Sequence, residues 1–491
     1  MQRASLLVIA LLAAFAAQAE PTKILFVGNS YTFGRLDPVL TYNAANVRDL
    51  TKPQGPLLQA VDPTKGVYTG APFSNVFGTN SYPVGMLNPN TGVQGNSYSP
   101  HTETNGWGGV PGIFKQLTVQ AGLNYDVALS TRNAATLRGH FLNTANSTNW
   151  DLRANIGSQK WDKMVLQEQS DEALGPQTVD GVPLGSNFPS IRAYVDLIED
   201  WVRTGRPIQD GVMTNNATNT TYRERNMYYL GGTTAAGGPG GQYANEAACV
   251  AAGGTPSVTV NGVTTSGSCA NNALRTIPNN TNFNAATEIY LQQTWARPNL
   301  INSPGTPTID PATGNVTYDS TKPVPSYFST LEAMTSEMTT AMLNVADYAD
   351  DDGTAGINGI IPVGQAFLAV VQAGLATRDM YASDALTDGL IDLWFNDGTH
   401  ASVAGSYLSA LVTFGKLTGI SPASFGASEK AASDLGINPG DAVQLQRVAT
   451  DQLIASGTTL EWIPCLRANP DAPGAGPGNR NVVVCGSGKR P

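Results

Sequence analysis

The chain has 491 residues, a formal net charge of −10 and only 13% charged side chains, beside 52 glycines and 31 prolines. That length is more than one minimal domain needs and can bury a large core. An acidic chain with no Lys/Arg cluster lacks the charge that holds nucleic acid or an anionic membrane surface, so both are disfavoured as partners and no stable membrane insertion is expected.

In chain order, Arg3, the apolar run Leu6 to Phe15 and Ala17-Gln18-Ala19 read as a secretory signal peptide cleaved after Ala19. Its apolar core is too short to span a bilayer, and no later stretch approaches a span. The expectation is a soluble protein, secreted or periplasmic. Ile24 to Val27 then form a buried strand that runs straight into Gly28-Asn29-Ser30. A polar stretch rich in Asn, Gly, Pro and Tyr continues to about residue 108. It holds a second Gly-Asn-Ser-Tyr at 95–98, with no apolar strand before it, which reads as loop.

Val110 to Ala121 has helical spacing, and Tyr125 to Leu129 and Lys163 to Leu166 read as strands. Ile191 to Val202 is an amphipathic helix with Ile191, Val195, Leu197, Ile198 and Trp201 on its core face. Glu288 to Leu291 is a fourth strand, Tyr327 to Tyr348 a long helix, Ile357 to Val363 a fifth strand, and Ala366 to Ala373 and Ser402 to Leu417 helices. Strands alternating with helices predict an α/β fold, a parallel sheet of about five strands covered on both faces. Residues 206–283 read as a Gly/Ala/Thr/Asn-rich insertion at the periphery of a 20–425 domain. Residues 426–491 read as a tail with one helix, about Asp441 to Ala455. Cys249, Cys269, Cys465 and Cys485 fall into two pairs, each twenty positions apart. In an oxidising compartment, pairing within each is the simplest of three connectivities. Zinc is disfavoured, since no Cys-x-x-Cys occurs and no His lies nearby.

A serine hydroxyl at the carboxyl edge of a sheet becomes a nucleophile only when a base takes its proton. Histidine suits that role, and the chain has three: His101, His140 and His400. His101 lies in the polar loop and His140 follows Arg138-Gly139. His400 closes Asp397-Gly398-Thr399-His400 just before a helix, and Asp397 is spaced to reach its Nδ1 within one turn. Either motif alone has a plainer reading: the aspartate as an Asx turn capping the next helix, the serine as a cap after a strand.

Together, Gly28-Asn29-Ser30 after the first strand and Asp397-Gly398-Thr399-His400 before the last helix resemble the SGNH hydrolases, the GDSL-like esterase/lipase superfamily. The likeness is to a bacterial branch whose first block reads Gly-Asn-Ser, and Tyr407-Leu408 also fits it. The resemblance covers about residues 22–204 and 284–420. It implies a three-layer α/β/α, flavodoxin-like fold and a secreted serine esterase with Ser30 as nucleophile, His400 as base and Asp397 as its orienter. It implies oxyanion donors from the Ser30 N–H, a glycine after the second strand (Gly139) and an amide after the third, with no cofactor and no metal. The usual Gly-x-Asn-Asp third block is replaced by Gln167-Glu168-Gln169-Ser170. Gln169 holds the matching offset and Gln167 competes for it, while Glu168 reads as a buried structural carboxylate or a partner of Arg138. The implied substrate is a small-molecule or polysaccharide ester. A non-catalytic carbohydrate-binding or surface protein on the same scaffold is the alternative. Asp350-Asp351-Asp352-Gly353 lacks the spacing of a calcium loop and reads as a solvated turn. Trp295 reads as core in preference to pocket wall. The absence of Gly-x-Ser-x-Gly argues against a standard α/β-hydrolase.

Overall fold

The computed structural model describes residues 20–34, 37–50, 107–132, 135–142, 152–175, 177–184, 188–206, 279–309, 316–350 and 353–462, with short strand segments at 61–68, 208–277 and 465–485. The expected signal peptide, the second Gly-Asn-Ser-Tyr, His101 and Cys249 lie outside the described residues.

One six-stranded parallel sheet organises the molecule. Its strands are β1 (Thr22–Gly28), β2 (Arg48–Asp49), β3 (Tyr125–Thr131), β4 (Lys163–Gln167), β5 (Glu288–Gln292) and β6 (Gly359–Ile361), in spatial order β6-β5-β4-β1-β3-β2. Ile24 pairs with Val127 on one side and Lys163 on the other, and β5 runs beside β4 with Leu291 opposite Leu166. Apart from the two-residue edge strand β2, the order is that of a flavodoxin-like doubly wound sheet. Its chain direction reverses around β1, and the crevice at that reversal lies at the carboxyl ends of the strands.

Pleating sends alternate side chains to opposite faces. Ile24, Phe26, Val127, Leu129, Val165 and Tyr290 enter one apolar cluster, while Leu25, Val27, Ala128, Met164, Leu166 and Ile289 enter the other. This is why β1 reads as a continuous apolar run: both faces are covered. Each fully buried Leu, Ile, Val or Phe contributes about 1.5–3 kcal/mol. The helices, in chain order, are α1 (Ser30–Phe33), α2 (Gly109–Gln120), α3 (Leu137–Leu142), α4 (Leu152–Ile156), α5 (Phe188–Thr204), α6 (Leu331–Ala349), α7 (Val363–Gln372), α8 (Val403–Thr418), α9 (Lys430–Asp434) and α10 (Pro439–Ala455). α2, α7 and α8 cover the first face; α3 and α5, with the second half of α6, cover the other. The core face expected of α5 is buried at all five positions.

Three expectations shift. The sheet has six strands, because Arg48 forks onto Asp126 at 2.8 and 2.6 Å and Leu50 N–H bonds Leu129 O at 2.8 Å, pinning a polar dipeptide to the edge. The long helix begins at Leu331: Thr330 caps it by accepting from Ala333 N–H at 3.1 Å, while Tyr327 N–H bonds Leu300 O at 2.8 Å. The fifth expected strand is only Gly359–Ile361, since Pro362 carries no N–H to continue a ladder. The helix of the C-terminal segment, α10, packs on α7 and α8, with Ala442, Leu445, Ala449 and Leu453 wholly buried in the first core. Within 206–283, Ile208–Asn215 pairs antiparallel with Cys269–Ile277, apart from the main sheet. At the C-terminus, Cys465–Arg467 pairs antiparallel with Val483–Cys485, and its register sets Cys465 opposite Cys485. No helix among the described residues is long and apolar enough to cross a membrane.

Candidate active site

The first block folds as a strand-to-helix turn. Asn29 caps α1: its Oδ1 accepts from Tyr31 N–H at 3.1 Å, and its carbonyl accepts from Thr32 and Phe33 N–H at 2.9 and 3.1 Å. Its Nδ2 donates to Ala135 O at 3.1 Å, which ties the turn to the loop after β3. Gln167, at the end of β4, accepts on Oε1 from Asn29 N–H and from Thr32 Oγ1, both at 2.9 Å. Gly28 is required by close approach, because a Cβ there would sit 2.3 Å from Thr32 Oγ1 and 2.5 Å from Gln167 Oε1. Ser30 thus sits at the first position of a four-residue helix, 6% exposed, and among the described residues no group accepts from its N–H.

The base arrives from the far end of the chain. His400 Nε2 is 2.8 Å from Ser30 Oγ, and its Nδ1 is 2.6 Å from Asp397 Oδ2. Asp397 Oδ1 accepts from the Thr399 and His400 N–H groups, each at 2.9 Å, which closes the turn on its own carboxylate. Burial would push this carboxyl up, but the adjoining imidazole and those N–H donors outweigh it and hold Asp397 well below its usual range. The cap of α8 is a different residue, Ser402, which accepts from Gly405 N–H at 3.1 Å. Gly398 has φ +67°, and a Cβ there would meet Tyr381 Oη at 2.1 Å. The Thr399 carbonyl accepts from Tyr31 Oη at 2.8 Å and Trp295 Nε1 at 3.0 Å. Trp295 is fully buried, stacked between Tyr31 (4.2 Å) and Phe367 (4.8 Å), so it is core, as expected, and also a strut under the histidine turn. Tyr318, from the Thr306–Ile309/Val316–Asp319 hairpin, donates to Asn396 O.

His140 is brought close but in another role. It lies fully buried in α3 with Nε2 2.8 Å from the Gly28 carbonyl, which also takes Arg132 N–H at 3.1 Å. Burial pushes its pKa down to about 4, so the ring is neutral and donates from Nε2 to the strand.

The oxyanion expectations divide. Gly139 N–H donates to Thr136 Oγ1 at 2.9 Å, a first-turn bond of α3, so this glycine is not aimed at Ser30; the correction follows from the helix starting at Leu137. Residues 133 and 134, between β3 and α3, are outside the described residues. Gln167 is wholly buried and bonded at both ends of its carboxamide, with Nε2 donating to Glu168 O, which removes it as a donor. Gln169 is half-buried; its Oε1 accepts from Asp171 N–H at 2.6 Å, leaving Nε2 as the donor end. Glu168 is a buried structural carboxyl, pushed up by burial and then by Glu172; its Oε1 accepts from Gln169 and Leu137 N–H at 2.7 and 3.0 Å. The side chain of Arg138 is outside the described residues. Among the described residues no group of His, Cys, Asp and Glu could hold a metal ion.

Sequence reasoning missed Tyr31 and Arg297. Tyr31 directly follows the serine, and its place beside the block was a usable signal. Arg297, paired with Asp171, carried none, because the two meet only through the fold.

No protein-family model matches the chain, and no curated protein does. Two solved structures are similar to it. One is a DUF4886 family protein from Bacteroides uniformis ATCC 8492, 12% identical, with a TM-score of 0.37 over 90% of this chain and 98% of that one. The other is described as "a putative SGNH hydrolase" from Slackia heliotrinireducens, 11% identical, with a TM-score of 0.29 over 81% of this chain and all of that one. Likeness this distant carries no argument about the site, which stands on the distances above.

Proposed function

We propose that the protein is an exported serine ester hydrolase. The observation that carries this is the aligned relay, Ser30 Oγ to His400 Nε2 at 2.8 Å and His400 Nδ1 to Asp397 Oδ2 at 2.6 Å, built from residues 370 positions apart. In the proposed reaction Ser30 Oγ attacks the ester carbonyl while its proton passes to His400 Nε2. Asp397 fixes the tautomer and offsets the imidazolium charge. The oxyanion is held by the Ser30 N–H and the Gln169 amide. His400 returns the proton to the leaving alkoxide, and water, activated by the same histidine, hydrolyses the acyl-enzyme.

The reading agrees with the SGNH resemblance in residue type, order and place on the sheet. The implied reaction needs no organic cofactor or metal. An N-terminal signal sequence and an acidic, polar-loop-rich chain favour an extracellular or periplasmic ester such as an O-acetyl group on a carbohydrate. Release of p-nitrophenol from p-nitrophenyl acetate, then of acetate from acetylated glycans, tests it. Wild-type turnover well above that of Ser30→Ala is expected. Rates equal to that control across short-chain esters would return the chain to the reading of a non-catalytic carbohydrate-binding protein.

A further inference from the structure

The strand extension after β5 touches both halves of the site. On one side Trp295 Nε1 and Asn299 N–H bond the carbonyls of Thr399 and Gly398, at 3.0 and 3.2 Å, and so hold the histidine turn. On the other side Arg297 reaches the segment after β4. Its Nη1 donates to Ser170 Oγ at 2.9 Å and pairs with Asp171 Oδ1, while its Nε donates to Asn299 Oδ1 at 3.1 Å. Ser170 Oγ also donates to Asp171 Oδ1 at 3.0 Å. Asp171 in turn supplies the backbone N–H that holds Gln169 Oε1 at 2.6 Å.

The geometry points to Arg297 as a positioning residue that, through Asp171, sets the Gln169 carboxamide relative to the His400 turn. The inference rests on the serine-hydrolase reading and adds a device to it. Both charges are largely withdrawn from water, the Arg297 side chain being 11% and the Asp171 side chain 17% exposed. A guanidinium so placed offers a rigid fork of donors that lysine lacks. Here the fork joins two loops from different strands into one unit. An oxyanion donor works only if it is held in place before charge develops, and a free glutamine side chain is not. Arg297 is also close enough for its charge to be felt by the Tyr31 phenol and the Asp397 carboxylate.

A double-mutant cycle on p-nitrophenyl acetate hydrolysis tests this. Gln169→Ala and Arg297→Gln are each expected to lower kcat by about 10²-fold, with KM within about threefold. The double variant is expected to be no worse than the weaker single variant by more than about threefold, because both remove one effect. Arg297→Lys, which keeps the charge without the fork, is expected to recover part of the loss. The rate at which a p-nitrophenyl alkylphosphonate labels Ser30, read by mass spectrometry, supplies the same cycle independently of turnover. Losses that multiply to about 10⁴-fold, or an Arg297→Gln variant with a lowered Tm and unchanged kcat and labelling, would overturn the latch while leaving the triad intact. Ser30→Ala with undiminished activity would instead overturn the underlying reading.

Discussion

Two histidines reach the same strand-to-helix turn from opposite layers of the sheet, and they do opposite things there. His140, on α3, meets a backbone carbonyl, Gly28 O, at 2.8 Å. A carbonyl can only accept, so the ring must present N–H on Nε2, and Nδ1 is buried with no partner among the described residues. His400, in the turn before α8, meets a hydroxyl at the same 2.8 Å and has a carboxylate on its other nitrogen. The hydroxyl can donate, and the carboxylate fixes Nδ1–H and leaves Nε2 free to accept. What separates a strut from a base is therefore the partner on each ring nitrogen. Distance to the turn does not distinguish them.

His400→Ala is expected to cut kcat by about 10⁴–10⁶-fold, whereas His140→Ala should act mainly on stability. A His140→Ala variant with as large a loss of kcat and an unchanged Tm would reverse the two assignments. Asp397→Asn keeps the shape of the turn but reverses the tautomer preference, and should lower kcat by about 10⁴-fold with little change in KM. An effect under tenfold would mean that the carboxylate is only structural.

A third test uses pH. His140 has a folded pKa of about 4, below its ordinary value, so the unfolded chain binds its proton first as pH falls. Its contribution is full above about pH 6.5, is lost between about 6.5 and 4, and amounts to about 3 kcal/mol. Asp397, held below its usual range, loses its contribution only below about pH 4, and Glu168, pushed up, acts in the opposite sense by favouring the folded state at low pH. The clean readout is thus the difference between wild type and His140→Gln in urea midpoints across pH 4–7. A pH-independent difference would show that folding does not shift the His140 pKa. The smallest expected effect concerns the tail. Intact mass with and without reductant should show Cys465 bonded to Cys485, and reduction should leave kcat within about twofold, because the ladder that carries the pair is separate from the six-stranded sheet that positions Ser30.

Much of this was legible because it was local. An apolar run ending in Gly28-Asn29-Ser30 places a serine at a sheet edge, and Asp397-x-x-His400 carries both members of its ion pair within one turn. The oxyanion donors were less legible. Gly139 was chosen by its distance after β3, yet the direction of a glycine N–H depends on where the next helix starts, and Thr136 starts it at Leu137. Gln167 and Gln169 look alike in sequence. The first is the last residue of β4 and points inward onto the nucleophile turn, whereas the second lies beyond the strand end, half-buried, with its Oε1 turned back onto Asp171 N–H. β2 was missed because two polar residues have no periodicity; a partner, Asp126, makes them a strand.

The α/β alternation, the strand that is apolar on both faces, and the serine, histidine and aspartate of the relay are all written in local sequence, since each depends on neighbours within a few residues. Only the assembled fold set how far Ser30 lies from His400, which glutamine keeps an unbonded donor end among the described residues, and that Arg297 joins the two loops. Those outcomes depend on the order β6-β5-β4-β1-β3-β2, which brings together residues more than a hundred positions apart, and no local pattern encodes that order.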